Sequence, residues 1–318
     1  MIREKLRRVL NKAGLLPFVQ LNWRRRVFEL AETNRIVLHI GRSVIEVVKD
    51  SKLLRIGTKQ SVYLEDMINH FPQYYEIVAP TVEGSREVVD YSKPALQTFR
   101  ATGLKFWVPS IPEEEAALQS YFRWYTPKPG DIVLDGGANC GVSTYYLSRF
   151  VGTEGRVFAF EPDEDNWRFL LRNLELHQLT NVVPIKKALA GRTGMREFHQ
   201  EGCLGSGFTD LVSRPGGTTN ITSVETTTLA DLIREYQLPG IEFIKLDIEG
   251  GEIEVLQSSK ELLRKMRVEF AIDSNHAIQG ELTHKRLDEL FREIGYEVES
   301  RSDLTGFMTT WARSPNIR

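Results

Sequence analysis

The sequence predicts an α/β fold on a mostly parallel sheet, closed by an antiparallel pair and preceded by a smaller N-terminal α+β extension. Three observations predict it. Short apolar runs alternate with stretches of helical periodicity between residues 131 and 273, the pattern of strands joined by helical crossovers. Two β-type segments, residues 296–300 and 307–312, follow with only a polar turn between them, which suits an antiparallel pair. Pro127-Lys-Pro-Gly130 stops the helical pattern of residues 113–125 and marks the entry to the sheet.

Taken in order, residues 1–30 are basic, with Arg3, Lys5, Arg7, Arg8, Lys12 and Arg24 to Arg26, and place Leu6, Val9 and Leu10 at helical spacing. Such a run is either a solvated helix face or, over residues 1–26, a peripheral contact with an anionic membrane or a protein. Residues 36–40, 44–48 and 53–56 read as strands of a small antiparallel sheet. A helix over 62–71 and strand-like segments near 76–82 and 104–108 follow. The domain boundary is placed at 103/104, with an extension over 1–103 and the main domain over 104–318.

In the main domain, residues 132–135, 156–160 and 182–189 read as strands, separated by helices from Ser143 and over 163–179. Right-handed crossovers between them demand a parallel sheet. Residues 195–200 are strand-like. The Gly-, Ser- and Thr-rich stretch 201–222 is too long for an ordinary connection and reads as a disordered segment or a working lid. Thr228 caps a helix through Tyr236, and a strand over 241–247, a helix over 251–263 and a strand over 268–273 follow. A last helix, 284–294, stops at Gly295.

Composition narrows the function. At 318 residues and 41% hydrophobic content, the chain has room for one large core and an appendage. Lys+Arg of 41 against Asp+Glu of 43 leaves a net charge of −2, which offers no support for nucleic acid as the main partner. Cys140 and Cys203 build neither a disulfide framework nor a metal site, which suits a reducing cytoplasm. The N-terminus lacks the apolar run of a signal peptide, and no stretch reaches membrane-spanning length.

The stretch Asp131-Ile-Val-Leu-Asp-Gly-Gly-Ala-Asn-Cys-Gly141 carries the chemistry: an apolar strand, a carboxylate at its end, a glycine turn and the start of a helix. A dinucleotide turn needs G-x-G-x-x-G so that backbone approaches a pyrophosphate. Here the glycines fall at 136, 137 and 141, with Ala138 and Asn139 between. Asp135 at the lip would repel a pyrophosphate but suits a cationic cofactor, which points to S-adenosylmethionine. Glu161 closes the next strand, where a carboxylate accepts ribose hydroxyls. The cofactor candidates are therefore Asp135, Gly136, Gly137, Ala138, Asn139, Gly141, Glu161 and Pro162. The plainer alternative makes Asp135 and Glu161 helix-capping acids.

Asp135 to Gly141, Phe160-Glu-Pro162, Asn173-Leu174, Lys187-Ala-Leu189, Thr228-Leu-Ala-Asp231 and Ile244-Lys-Leu-Asp-Ile-Glu-Gly-Gly-Glu252 together resemble the FkbM family of S-adenosylmethionine-dependent methyltransferases. The resemblance runs from about residue 104 to 312. It implies a class I methyltransferase (Rossmann-like) fold with a seven-stranded sheet, and O-methylation of a hydroxyl on a sugar, glycan or small natural product.

Ligands of open α/β sheets sit at the carboxyl ends of strands. Asp247, Glu249 and His276 fall there and are the catalytic candidates, with His276 as a general base. The run Asp273-Ser-Asn-His276 departs from the Glu-x-His of many relatives, with Asn275 at the position of their histidine. Asp247, Asp273 and Asn275 offer oxygen ligands for Mg²⁺, a site that is not the favoured one. Two other functions compete: an NAD(P)-dependent sugar-modifying oxidoreductase, against which the glycine spacing speaks, and a non-catalytic partner-binding module on the same fold.

Overall fold

The computed structural model describes residues 16–113, 115–211, 220–278, 280–302 and 307–315. The described chain forms two compact units that divide between Lys93 and Pro94. This falls before the 103/104 boundary read from the sequence. Ala95–Thr98 pairs antiparallel with Lys105–Val108, and the hairpin carries residues assigned to the extension into the second unit.

The first unit holds the helix Leu16–Thr33 and a five-stranded sheet. Val37–Ile40, Val44–Lys49 and Lys52–Gly57 pair as antiparallel neighbours. The sheet is nevertheless mixed, because Lys52–Gly57 pairs in parallel with Arg86–Tyr91. Parallel neighbours need a long crossover, and a 3₁₀ turn with the helices Leu64–Asn69 and Phe71–Glu76 supplies it. The strand-like reading of 76–82 is corrected accordingly: helix runs to Glu76 and the edge strand is Thr81–Glu83. The basic residues of 1–15 lie outside the described part, and no described helix is long and apolar enough to cross a membrane.

The second unit is organised by a seven-stranded sheet. Its strands are β1 (Ile132–Gly136), β2 (Arg156–Phe160), β3 (Val182–Ile185), β4 (Phe243–Leu246), β5 (Glu269–Asp273), β6 (Glu297–Ser302) and β7 (Met308–Arg313). Their order is β3-β2-β1-β4-β5-β7-β6, with β7 antiparallel to both neighbours and the others parallel. This is the seven-stranded sheet that the resemblance implies. The connecting helices are α1 (Val142–Val151), α2 (Glu164–Leu176), α3 (Leu229–Glu235), α4 (Glu252–Leu263) and α5 (Thr283–Glu293).

All four residues of β4 are buried, as in a strand covered on both faces. Leu229 and Leu232 of α3, Val255 and Leu256 of α4, and Leu287 and Phe291 of α5 join Phe158, Ile244 and Phe270 of the sheet in one core. Each fully buried side chain of this size contributes about 1.5–3 kcal/mol. The helix starts follow from sequence: the Asp163 side chain accepts from Asp165 N and Asn166 N, and Thr228 from Asp231 N. Helix α5 gives way to Gly295 at φ +84°.

The expected strand 182–189 is split. Val182–Ile185 stays in the main sheet, whereas Ala188–Leu189 pairs with Thr226 and Thr227 of a second, four-stranded sheet. Strand 194–200 also belongs to that sheet and pairs with 220–227. Within the stretch 201–222, Gly207–Phe208 pairs with Phe198 and His199, and 212–219 lie outside the described residues.

Candidate active site

The turn after β1 is built by backbone constraint. Gly137 has φ +75°, and a Cβ built on it would stand 1.9 Å from the carbonyl oxygen of Asp247, at the end of β4. Only glycine fits there. A Cβ built on Gly136 would meet Leu246 Cδ2 at 2.7 Å, and one on Gly141, at φ +91°, would meet Leu170 Cδ1 at 2.7 Å. Gly137 N and Ala138 N both donate to Phe160 O, which ties the turn to the end of β2. Asn139 takes a left-handed φ of +50°, and its Oδ1 accepts from Cys140 N at 2.6 Å. Ala138 is buried, while Gly137 and Asn139 stay partly open.

Asp135 corrects the charge argument from sequence. Its side chain is 0% exposed, Oδ2 accepts from Ser143 Oγ and Thr144 Oγ1 at the start of α1, and Lys245 Nζ lies 3.3 Å from Oδ1. Lys245, 1% exposed, also donates to Gly137 O at 2.9 Å. The negative charge of Asp135 is met inside the protein, so Asp135 holds the turn and the helix start together. Burial works against the Lys245 ammonium, but Asp135, Glu113 and Asp247 outweigh it and keep the group protonated.

Glu161 is 4% exposed; Oε2 accepts from Asn139 N at 2.8 Å and Oε1 from Asp163 N at 2.8 Å. Burial, reinforced by Asp163, pushes its carboxyl up to about 8. Pro162 follows it half-buried. Asp163 anchors the loop above: Glu201 N, Gly202 N and Ser206 Oγ all donate to its Oδ2. Asn139 and Asn166 both donate to Cys203 O, so 201–206 is pinned at the turn.

At the neighbouring strand ends, Asp247, Glu249 and His276 come together, all half-buried. His276 Nε2 lies 3.6 Å from Asp247 Oδ1 and 3.7 Å from Glu249 Oε1, and Nδ1 lies 3.4 Å from Glu252 Oε1. Left-handed backbone at Glu249 (φ +55°) and Gly250 (φ +95°) folds the chain back in this way. Glu252 is fully buried and accepts from Ile248 N at 2.8 Å. Burial disfavours the imidazolium, yet Glu252 and then Glu249 outweigh it and hold His276 protonated well above its ordinary range. Asp273, pushed up to about 6 by burial and then by Asp247, accepts from Asn275 N. The side chain of Asn275 is exposed, so the gathered donor set is Asp247, Glu249 and His276 rather than Asp247, Asp273 and Asn275.

Sequence reading missed Lys245 as the partner of Asp135, Glu252 as the support of His276, and Glu113. A lysine inside an apolar strand is itself a signal, since a buried ammonium demands a buried acid. Glu113 lies just before the helix Glu115–Tyr121; neither of its buried carboxylate oxygens has a hydrogen-bond partner among the described residues. Burial pushes Glu113 up to about 8, with Lys245 opposing and Asp247, Asp135 and Asp273 adding to the rise. Asn173 stands in one of the family motifs, but its role shows only in three dimensions: it donates to Cys140 O and Trp107 O and accepts from Trp107 N.

A sheet of this order, with a glycine turn after β1, an acid after β2 and an acidic cluster after β4, defines a class I methyltransferase. The sequence profile of the methyltransferase FkbM domain matches residues 135–298, and the chain belongs to that family. Among curated relatives, it is 31% identical over 147 residues to the hexuronic acid methyltransferase AglP of Haloferax volcanii, covering 46% of this chain and 56% of the relative. It is 26% identical over 170 residues to the 2-O-methyltransferase NoeI of Sinorhizobium fredii, covering 49% of this chain and 68% of the relative. The methyltransferase FkbM structure from Methylobacillus flagellatus superposes with a TM-score of 0.45 at 18% identity, over 61% of this chain and 47% of that one.

Proposed function

We propose that this chain transfers the methyl group of S-adenosylmethionine to a hydroxyl of a sugar, glycan or small natural product. The observation that carries the reading is the contact of Gly137 with the carbonyl of Asp247, which sets the cofactor turn directly beside the acidic cluster. A sulfonium held in that turn has its methyl next to the strand ends where an acceptor binds. The relatives named for hexuronic acid and 2-O methylation support a sugar-like acceptor.

Glu161 and the Asn139 backbone receive the adenosine ribose, and Pro162 and Ala138 border it. Glu113, whose two buried oxygens have no hydrogen-bond partner among the described residues, is the acid that a bound cationic cofactor would ionise, since the charge of Asp135 is already met by Lys245. The acceptor oxygen attacks the methyl carbon in line with the C–S bond. The C–S bond breaks, its electron pair stays on sulfur as S-adenosylhomocysteine, and the hydroxyl proton passes to Asp273. A carboxyl near 6 is ionised at neutral pH and basic enough for this transfer. Asp247 and Glu249 hold the acceptor, and His276 balances their charge.

The test is transfer of labelled methyl from S-adenosylmethionine to a panel of uronic acids and neutral sugars. Asp247→Asn is expected to keep S-adenosylhomocysteine binding and lose transfer by at least about 100-fold, the scale of a lost positioning or proton-transfer group. A fully active variant would place the acceptor elsewhere.

A further inference from the structure

The cluster beyond β4 has the donors, the spacing and the support of a metal centre. Asp247, Glu249 and His276 each offer one ligand atom, and these atoms all lie within 4.8 Å of one another. A cation about 2.2 Å from each donor, with angles near the tetrahedral value, separates the donors by about 3.6 Å. The His276 Nε2 distances to Asp247 and Glu249 are 3.6 and 3.7 Å.

A second observation comes from behind the ring. Glu252 has a fully buried side chain, and its Oε2 has no hydrogen-bond partner among the described residues. Its Oε1, fixed by Ile248 N, faces His276 Nδ1 and turns Nε2 towards Asp247 and Glu249. A carboxylate behind a histidine is the arrangement that orients an imidazole on a metal. We propose that Asp247, Glu249 and His276, its Nε2 proton displaced by the ion, bind one divalent transition-metal cation of the Mn²⁺ or Zn²⁺ kind, which presents its open positions to two neighbouring oxygens of the acceptor.

One nitrogen and two carboxylate oxygens suit such a cation better than Mg²⁺, which prefers oxygen alone. Two carboxylate charges match the charge of the ion. The three donors are half-buried, which leaves room for coordination positions on their solvent-facing side. The acceptor would then be a chelating one, such as a vicinal diol or a hydroxyl beside a carboxylate. This last step rests on the O-methyltransferase reading; binding of the cation does not.

The test uses the full chain, stripped with EDTA, dialysed and titrated with Mn²⁺ while free Mn²⁺ is followed by electron paramagnetic resonance. One equivalent is expected to bind, to be displaced by Zn²⁺, and to show nitrogen coupling from one imidazole. Asp247→Asn, Glu249→Gln and His276→Gln are each expected to weaken binding by at least about tenfold, with S-adenosylhomocysteine affinity within about threefold of wild type. No stoichiometric binding, or variants that bind Mn²⁺ as wild type does, would overturn the site and leave a self-contained histidine–carboxylate cluster. Where a variant also loses S-adenosylhomocysteine binding, the nitrogen coupling in wild type decides, and its absence overturns the site. Mn²⁺ binding in a wild-type protein that ignores S-adenosylhomocysteine would keep the site and defeat the methyltransferase reading.

Discussion

Replacing Lys245 with methionine tests whether the Asp135–Lys245 pair holds the cofactor turn. Both side chains are at most 2% exposed and 3.3 Å apart, so K245M leaves a carboxylate in the core with, among the described residues, only the Ser143 and Thr144 hydroxyls as side-chain partners. Breaking a buried pair on one side costs about 3–5 kcal/mol. The Gly137 carbonyl also loses its donor, worth about 1 kcal/mol. Urea unfolding followed by the fluorescence of Trp107, Trp124, Trp167 and Trp311 should show a loss of about 4–6 kcal/mol in the second unit. Adding Asp135→Asn removes the stranded charge, so the double variant should be more stable than K245M by about 2 kcal/mol. A cost for K245M below about 1 kcal/mol, or strictly additive effects, would refute the reasoning.

Three further outcomes are expected. Gly137→Ala combines left-handed strain of about 1–2 kcal/mol with a Cβ placed 1.9 Å from Asp247 O, and calorimetry should show S-adenosylhomocysteine affinity reduced by at least about 30-fold. Asn173→Ala strips three hydrogen bonds from Trp107 and Cys140 and should cost about 2–4 kcal/mol in urea unfolding. Glu113 and Glu161 are raised to about 8, so between about pH 4.5 and 8 the folded state binds protons that the unfolded state has released. Their contribution to stability is present below this window and falls as pH rises through it, by up to about 1.4 kcal/mol per pH unit for each group, with no further loss above it. Glu113→Gln should flatten that slope in the ligand-free protein, and an unchanged slope would show that Glu113 does not titrate there.

The sheet was legible because its strands are apolar and its helices carry explicit starts and stops, such as Thr228 and Gly295. The glycine turn and Glu161 were legible because steric and charge rules act over a few residues. What escaped depends on pairing across the fold. The parallel pairing of Lys52–Gly57 with Arg86–Tyr91 is set by a crossover, not by the strands themselves. Asp135 reads as a lip carboxylate until Lys245, on the adjacent strand, is seen to neutralise it. The carboxylates of Glu249 and Glu252 against the His276 ring do not show in the spacing of the strand ends. In the last two cases the electrostatic setting of a group depends on neighbours that sequence spacing does not reveal.

The central claim is that the turn from Asp135 to Gly141, with Glu161 behind it, receives S-adenosylmethionine. Thermal unfolding with S-adenosylhomocysteine and, separately, with NAD tests it most directly, because a ligand of the folded state at 100 times its Kd stabilises by about 2.7 kcal/mol. The account predicts a higher Tm with S-adenosylhomocysteine, no change with NAD, and loss of the effect in Gly137→Ala. Stabilisation by NAD with none by S-adenosylhomocysteine would contradict it.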